Sequence, residues 1–511
     1  MTMNGAKTYA AIVNGQAIDR GLIPELSLAE FQQAILDGVA QGCRVAALFG
    51  AAPAPDQAIK LHAVLADDMT STLRLCVTRL DDYFPSLTPR CPQVHLFERE
   101  IAEQFGATPE GHPWFKPVRF HAPRRPGHDA WGRTPDNWPT VGAMEFYKVQ
   151  GDQIHEVAVG PVHAGVIEPG HFRFQCHGEE VFHLEISLGY QHRGIEKALI
   201  GGPTLRSIHY AETLAGDTTI GHASAYCQVL EALSKSQKTP RSQTLRGIAL
   251  ELERLANHIG DLGALAGDVG FLPTASFCGR LRGDFLNMTA LLCGSRFGRG
   301  MIRPGGVGFD VDNRLVEELL KRLAAAGKDC KNAIDLLWDT PSVMARFEET
   351  GRVGPELAEE LGLVGVAARA CGLNRDVRND HPIGIFRFAH LPMSTWDSGD
   401  VFARAFVRWL EVQRSLAFVV EQLHALPPGG IMIAPKPLAP NQLSVAMIEG
   451  WRGELCHVGL TDGYGRFERY KVVDPSFHNW IGLAMALRNQ QISDFPLCNK
   501  SFNLSYCGHD L

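Results

Sequence analysis

The sequence predicts an α+β protein: a small N-terminal α+β domain over residues 1–120, then a larger, mainly helical domain over residues 143–511 with antiparallel strands at its periphery. Three observations predict it. The 511 residues exceed what one small hydrophobic core serves, so two or more domains are expected. Apolar residues recur at helical spacing through most of the stretch from Thr204 to Ala425. Strand-like runs and period-two alternation are confined to the two flanks.

Each element follows from its own residues. "LAEFQQAILDGVAQG" has helical periodicity that ends at Gly42, and "CRVAALFGAA" and "TSTLRLCVTRL" read as buried strands. The run from Val94 to Phe105 is helical and stops at Gly106. Residues 121–142, rich in Pro, Gly and Arg, read as a linker. Beyond it, "EFYKVQGDQIHEVAVGPVHAG" and "HFRFQCHGEEVFHLEISLGY" alternate like strands, with turns at Gly151–Asp152 and Gly178. Leu245, Ile248, Leu252, Leu255 and Ile259 mark one face of a long helix. Two more helices cover "NRLVEELLKRLAAAGKDCKNAIDLLWD" and "VFARAFVRWLEVQRSLAFVVEQLHAL", and antiparallel strands close the chain with a turn at Asp462–Gly463.

Composition removes several function classes. A net charge of −7 argues against a general nucleic-acid binder. No signal peptide is expected from the opening residues, and no apolar run reaches membrane-spanning length, so a membrane role would come through partner subunits. The twelve cysteines form no CxxC pair, which reads as a reduced, cytoplasmic chain with no iron–sulfur cluster or structural zinc of its own. There is no nucleotide-binding glycine fingerprint, no HExxH and no GxSxG, and "GRGMIRPGGVG" reads as a structural loop.

"KVVDPSFHNW", residues 471–480, poses the question of chemistry. Its Asp-Pro corner is followed by Ser476 and, three residues on, Asn479. Cysteines at those places would suggest a metal site; serine and asparagine give only its outline. Other polar residues stand out from apolar surroundings: Glu168 and His171 around a Pro-Gly turn, His192, Arg193 and Glu196 at a helix start, Asp217 and His222, and Arg452. Each alone suits a helix cap, an ion pair or a satisfied core group; together they suggest a polar cleft between the strand-rich and helix-rich parts.

At these residues the chain resembles the large subunit of group 4, energy-converting nickel–iron hydrogenases, and equally the fused 30 and 49 kDa peripheral subunits of respiratory complex I. "YFPSLTPRCPQVHLFEREIAEQFGATPEGHP" resembles the 30 kDa signature; "GPVHAGVIEPGHFRF", "YQHRGIEKAL", "GSRFGRGMIRPGGV", "GLVGVAARACGLNRDVRND" and "IEGWRGELCH" resemble successive 49 kDa and hydrogenase motifs, in family order. The resemblance implies a 30 kDa-like domain over 1–120 and a 49 kDa-like domain over 143–511. It also implies membership of a membrane-bound complex associated with NAD-binding and quinone-binding oxidoreductases. The partners implied are a small iron–sulfur subunit whose cluster faces the cleft, membrane antiporter-like subunits and other peripheral-arm subunits, on the cytoplasmic face of the membrane.

The departures matter most. Hydrogenases of this family hold nickel and iron on four thiolates from two CxxC pairs; here Ala215 and Thr218 stand at the first pair and Ser476 and Asn479 at the second. Nickel requires soft anionic donors, and neither an alanine nor a high-pKa hydroxyl supplies one. No nickel–iron centre, and no cofactor bound by this chain itself, is therefore expected. By the same resemblance, Glu168 matches a glutamate that passes protons to a nickel-bound cysteine. Glu196 matches a magnesium-binding glutamate, Arg452 the arginine above the iron, and His163 the first histidine of a quinone-lining loop. Glu168, Asp217, His222, Arg452, Asp474 and His478 are then candidates for a proton relay or substrate pocket in the emptied cleft. The alternative is that these groups merely satisfy one another in a non-redox scaffold.

Overall fold

The structure is a computed structural model that describes residues 8–52, 58–134, 136, 140–163 and 167–511. In the N-terminal part, strands Ala10–Ile12, Thr72–Leu80, Ile59–Asp67 and Arg44–Ala51 form an antiparallel sheet in that order, and Glu25–Leu26 adds in parallel to Thr72–Leu80. Ile59–Asp67, the centre of this sheet, is a strand that the sequence reading did not single out. Helix Leu28–Ala40 starts from a capping box of Ser27 and Glu30. Helix His95–Phe105 packs on strand Arg44–Ala51 and ends where expected, at Gly106 with φ 75°. A Cβ there would lie 2.7 Å from the His128 backbone, so both the left-handed conformation and the close approach require glycine.

The described residues of 121–142 form no α-helix or strand. Side chains anchor them instead: Arg124 pairs with Glu196 and Arg125 with Asp82. Strands Ile154–Val159, His171–His177 and Glu180–Ser187 form a second antiparallel sheet, with the turn at Gly178 as expected. The stretch 145–150 is not a strand: Tyr147 and Val149 donate their backbone N–H groups to the side chains of Glu185 and Gln175 rather than to a ladder.

The helical body is built on Pro240–Asp268, packed against Leu272–Cys293 and Val401–His424, with Asn313–Trp338 on the outside. Leu245, Ile248, Leu252, Leu255 and Ile259 are fully buried, as their spacing predicts. The glycine-rich loop is a hairpin, Ile302–Arg303 against Gly306–Val307. Among the described residues, no helix is long and apolar enough to cross a membrane.

One sheet positions the site. Strands Phe467–Val473, Glu454–Thr461, Gln442–Glu449 and Ala17–Asp19 lie in that order, so a strand from the start of the chain completes a sheet from its end. Both faces are covered. Leu443, Val445 and Met447 pack with the N-terminal core, while Ala446 and Ile448 pack with the helical one. Double coverage explains why Gln442–Glu449 and Glu454–Thr461 read as almost continuous buried runs, a pattern more usual in parallel sheets.

Candidate functional site

Two helix N-termini meet beside this sheet. Helix Pro475–Ala486 begins with proline at its first position, and Asp474 is its cap, Oδ1 accepting the Ser476 N–H at 2.8 Å. Helix Thr219–Leu233 has no side-chain cap of its own at Thr218. Its Ile220 and Gly221 N–H groups instead donate to Glu253, at 2.7 and 3.1 Å, from the long helix behind it.

By the resemblance, Ala215, Thr218, Ser476 and Asn479 stand where hydrogenases carry thiolates, and the residues present do not fit a nickel–iron centre. Ala215 is fully buried and has no donor atom. The Thr218 hydroxyl donates to Asp217 Oδ1 (3.1 Å) and accepts from Trp451 Nε1 (3.1 Å). Ser476 Oγ accepts the Ser505 N–H at 2.7 Å. The Asn479 amide makes both of its bonds, each 3.0 Å, to the backbone of Val364. Ser476 and Asn479, although three residues apart on one helix, serve different neighbours rather than one point.

The C-terminal segment fills the cradle. Besides the Ser505 bond, Arg452 Nε donates to the Asn503 carbonyl at 2.5 Å. Gly508 lies against Asp474, where a Cβ would come within 2.6 Å of Oδ2, so only glycine fits. Glu168 accepts the Tyr506 and Cys507 N–H groups at 3.3 and 3.2 Å. Cys507, half-buried, is the one cysteine of the twelve that is not fully buried.

The candidate residues separate into groups. Arg452 clamps Asp217 through two bonds of 2.6 and 2.8 Å and lies over the Trp451 ring. Burial raises the Asp217 pKa, but the Arg452 charge and hydrogen bond outweigh it and hold the carboxyl below its ordinary value. Asp474 behaves alike, its burial offset by the bond from His222 and the nearby charge of Arg452. From Asp474 a continuous buried chain runs to Tyr470. His222 Nε2 is 3.1 Å from Asp474 Oδ2, His222 Nδ1 is 3.0 Å from His457 Nε2, and His457 Nδ1 is 2.9 Å from the Tyr470 hydroxyl. One tautomer assignment satisfies every link: Tyr470 donates to His457, His457 to His222, and His222 to ionised Asp474. Burial, with His222 alongside, keeps the His457 pKa well below its usual value and the ring neutral, as this assignment needs. The Tyr470 ring packs 5.9 Å from that of Tyr226, which lines a surface cavity of about 530 Å³ with Ile208, Leu230 and Pro437.

The remaining candidates stand apart. His478 presents its ring edge to Phe97, 5.7 Å between centroids, on the side facing the N-terminal part; burial and then Arg44 lower its pKa to about 3. His163 is 3.1 Å from the Gly170 carbonyl, beside residues 164–166, which lie outside the described residues. Glu196 sits in a separate buried ion-pair network with Arg469, Lys471 and Arg124.

Sequence reasoning did not single out His457, Tyr470 or Glu253. A histidine inside an otherwise apolar strand, "ELCHVGL", was a signal for the first; only the packing of the long helix reveals Glu253. Burial pushes the Glu253 pKa from 4.5 up to about 8 despite the two N–H bonds. A raised carboxyl contributes stability that is complete at low pH and is lost as the pH rises from 4.5 through about 8, because the unfolded chain releases that proton first. Asp217 and Asp474, with lowered values, contribute in the opposite sense, at lower pH. Glu253→Gln is therefore expected to flatten the fall in stability between about pH 5 and pH 8, measured by chemical denaturation. An unchanged slope would remove Glu253 as its source.

Comparison with known proteins matches residues 36–129 to the respiratory-chain NADH dehydrogenase 30 Kd subunit and residues 268–444 to its 49 Kd subunit. The chain is 31% identical over 350 residues to the carbon monoxide-induced hydrogenase of Rhodospirillum rubrum, covering 68% of this chain and 97% of that one. It is 30% identical over 383 residues to NADH-quinone oxidoreductase subunit 4 of Thermus thermophilus, covering 70% and 94%. It is 28% identical over 450 residues to formate hydrogenlyase subunit 5 of Escherichia coli K12, covering 85% and 78%. The α+β architecture, the order of the two matched regions and these relatives agree: the chain belongs to the family that unites complex I 49 kDa subunits with membrane-bound hydrogenase subunits, and carries a 30 kDa-type region fused in front.

Proposed function

We propose that this chain is a peripheral-arm subunit of a membrane-bound oxidoreductase of the complex I and hydrogenase-4 kind, working without a nickel–iron centre. Its 30 kDa-like domain (1–120) and 49 kDa-like domain (143–511) are joined by the 121–142 linker. Electrons reach it from the cluster of an adjacent iron–sulfur subunit and pass to quinone or another acceptor. The transfer is coupled to ion movement in membrane partners, with the chain held at the cytoplasmic face by other subunits. One observation carries this reading. The former metal cradle has no thiolate at any of its four positions, yet the acid–base chain from Asp474 through His222 and His457 to Tyr470 is unbroken. Arg452, Asp217 and Glu168 flank that cradle, and His163 is the candidate contact for quinone.

A second reading, a non-redox coupling subunit, is favoured by the C-terminal segment: Asn503, Ser505 and Gly508 occupy the space a substrate would need. A working hydrogenase would need thiolates that these positions lack. The complex should be purified through a tag on this chain. An iron–sulfur subunit and antiporter-like membrane subunits are expected with it, together with nickel far below one per chain. Stoichiometric nickel would overturn the donor argument. Purification of the chain without an iron–sulfur subunit would overturn the electron-transfer reading.

A further inference from the structure

The resemblance assigns Glu196 to a divalent cation, and the structure contradicts that assignment. Both oxygens of the Glu196 carboxylate are already engaged by protein donors. Oε2 accepts from Arg469 at 2.7 Å and Arg124 at 3.0 Å; Oε1 accepts the Val472 N–H at 3.0 Å and lies 3.3 Å from Lys471 Nζ. Lys471 is fully buried, and its ammonium also donates to both oxygens of Glu100, at 2.7 and 2.5 Å. Glu100 is paired in addition with Arg119. Two carboxylates thus face four side-chain cations, and the immediate surroundings are already positive. Magnesium demands close octahedral oxygen ligands and surrenders its water reluctantly. Here it would have to displace a protein donor from each carboxylate oxygen while three positive side chains stand within 3.3 Å of Glu196.

We infer that the ammonium of Lys471 is a built-in replacement for an exchangeable divalent cation, bridging Glu100 and Glu196. The replacement has a structural consequence. Glu100 lies on helix His95–Phe105 of the N-terminal part, Glu196 lies in the first turn of helix Ile195–Leu199, and Lys471 lies on strand Phe467–Val473 of the shared sheet. One lysine side chain therefore ties three separate segments together. A metal would make that junction depend on supply and on chelators; a covalently attached cation does not. A primary amine suits the position because it is a compact point charge with three donors, which a planar guanidinium is not.

The test uses the full chain. Wild type is expected to bind no Mn²⁺, used as a paramagnetic probe, and to keep the same melting temperature in excess EDTA and in millimolar Mg²⁺. Lys471→Ala removes the bridging charge and opens room between the carboxylates. It is expected to melt lower than wild type, to regain part of the loss as Mg²⁺ is added, and to lose that response when combined with Glu196→Gln. One Mn²⁺ bound per wild-type chain, released by EDTA with a fall in melting temperature, would overturn the inference. So would a folded Lys471→Ala chain that ignores Mg²⁺. Should that variant fail to fold, the wild-type Mn²⁺ and EDTA measurements decide by themselves.

Discussion

Asp474→Asn should lower turnover of the purified complex by about 100-fold while leaving its subunit composition unchanged. The amide still accepts the Ser476 N–H and so still caps its helix, which keeps the fold. What it loses is the negative charge that sets the direction of the chain. With Asp474 ionised, His222 donates to it and each later link donates inward. A neutral amide can present an N–H to His222, which reverses every link, so that His457 donates to Tyr470 and the Tyr470 hydroxyl proton loses its acceptor in the chain. The effect belongs on kcat rather than on the affinity for an acceptor, because Asp474 is buried behind the C-terminal segment. Glu168→Gln tests the opposite side of the cradle, where the carboxylate holds the Tyr506 and Cys507 N–H groups, and should slow turnover too. If both variants turn over like wild type, the relay is excluded and the coupling-subunit reading stands.

Arg369→Met is expected to destabilise the folded chain by about 3–5 kcal/mol, the cost of leaving a buried carboxylate without its partner. Arg369 is fully buried and bonds Glu411 at 2.6 Å and Glu449 at 2.7 Å. The same cluster contains Glu251, Arg254, Asp376 and Arg378, and Arg254 also donates to the carbonyls of Glu449 and Gly450 at 2.7 and 2.9 Å. Those bonds hold the strand end that carries Trp451 and Arg452, so damage here should also loosen the Arg452–Asp217 clamp. Lys331→Ala supplies the contrast. Its partner Asp335 is one turn away on an exposed helix face, and the loss should stay within about 0.5 kcal/mol. Chemical denaturation followed by tryptophan fluorescence compares the two; equal effects would mean that the buried cluster carries no special share of stability.

The legible part of this protein was local. Gly106 ends a helix because a left-handed residue is needed there, and the Leu245–Ile259 face is buried because its spacing is that of a helix. The absence of thiolates at 215, 218, 476 and 479 is covalent fact, and donor chemistry follows from it without any coordinates. Asp474 and His222 were also readable as candidates, from the Asp-Pro corner and from polar residues that stand out in apolar surroundings. His478 shows where such reading stops: two residues beyond Ser476 on a helix is about 200° around the axis, so it faces the N-terminal part and not the cradle.

What only the tertiary structure decided is which distant residues satisfy which. His457 and Tyr470 are diagonal neighbours on paired strands and reach His222 only because helix Thr219–Leu233 packs on that sheet. Glu253 caps that helix from 33 residues away, the last residues of the chain close over Asp474, and three cations from two separate segments surround Glu196. The physical reason is common to all of them. A buried polar atom must find a partner, but the free-energy cost of leaving it unpaired does not depend on how far along the chain that partner lies, so spacing in the sequence carries no record of the choice.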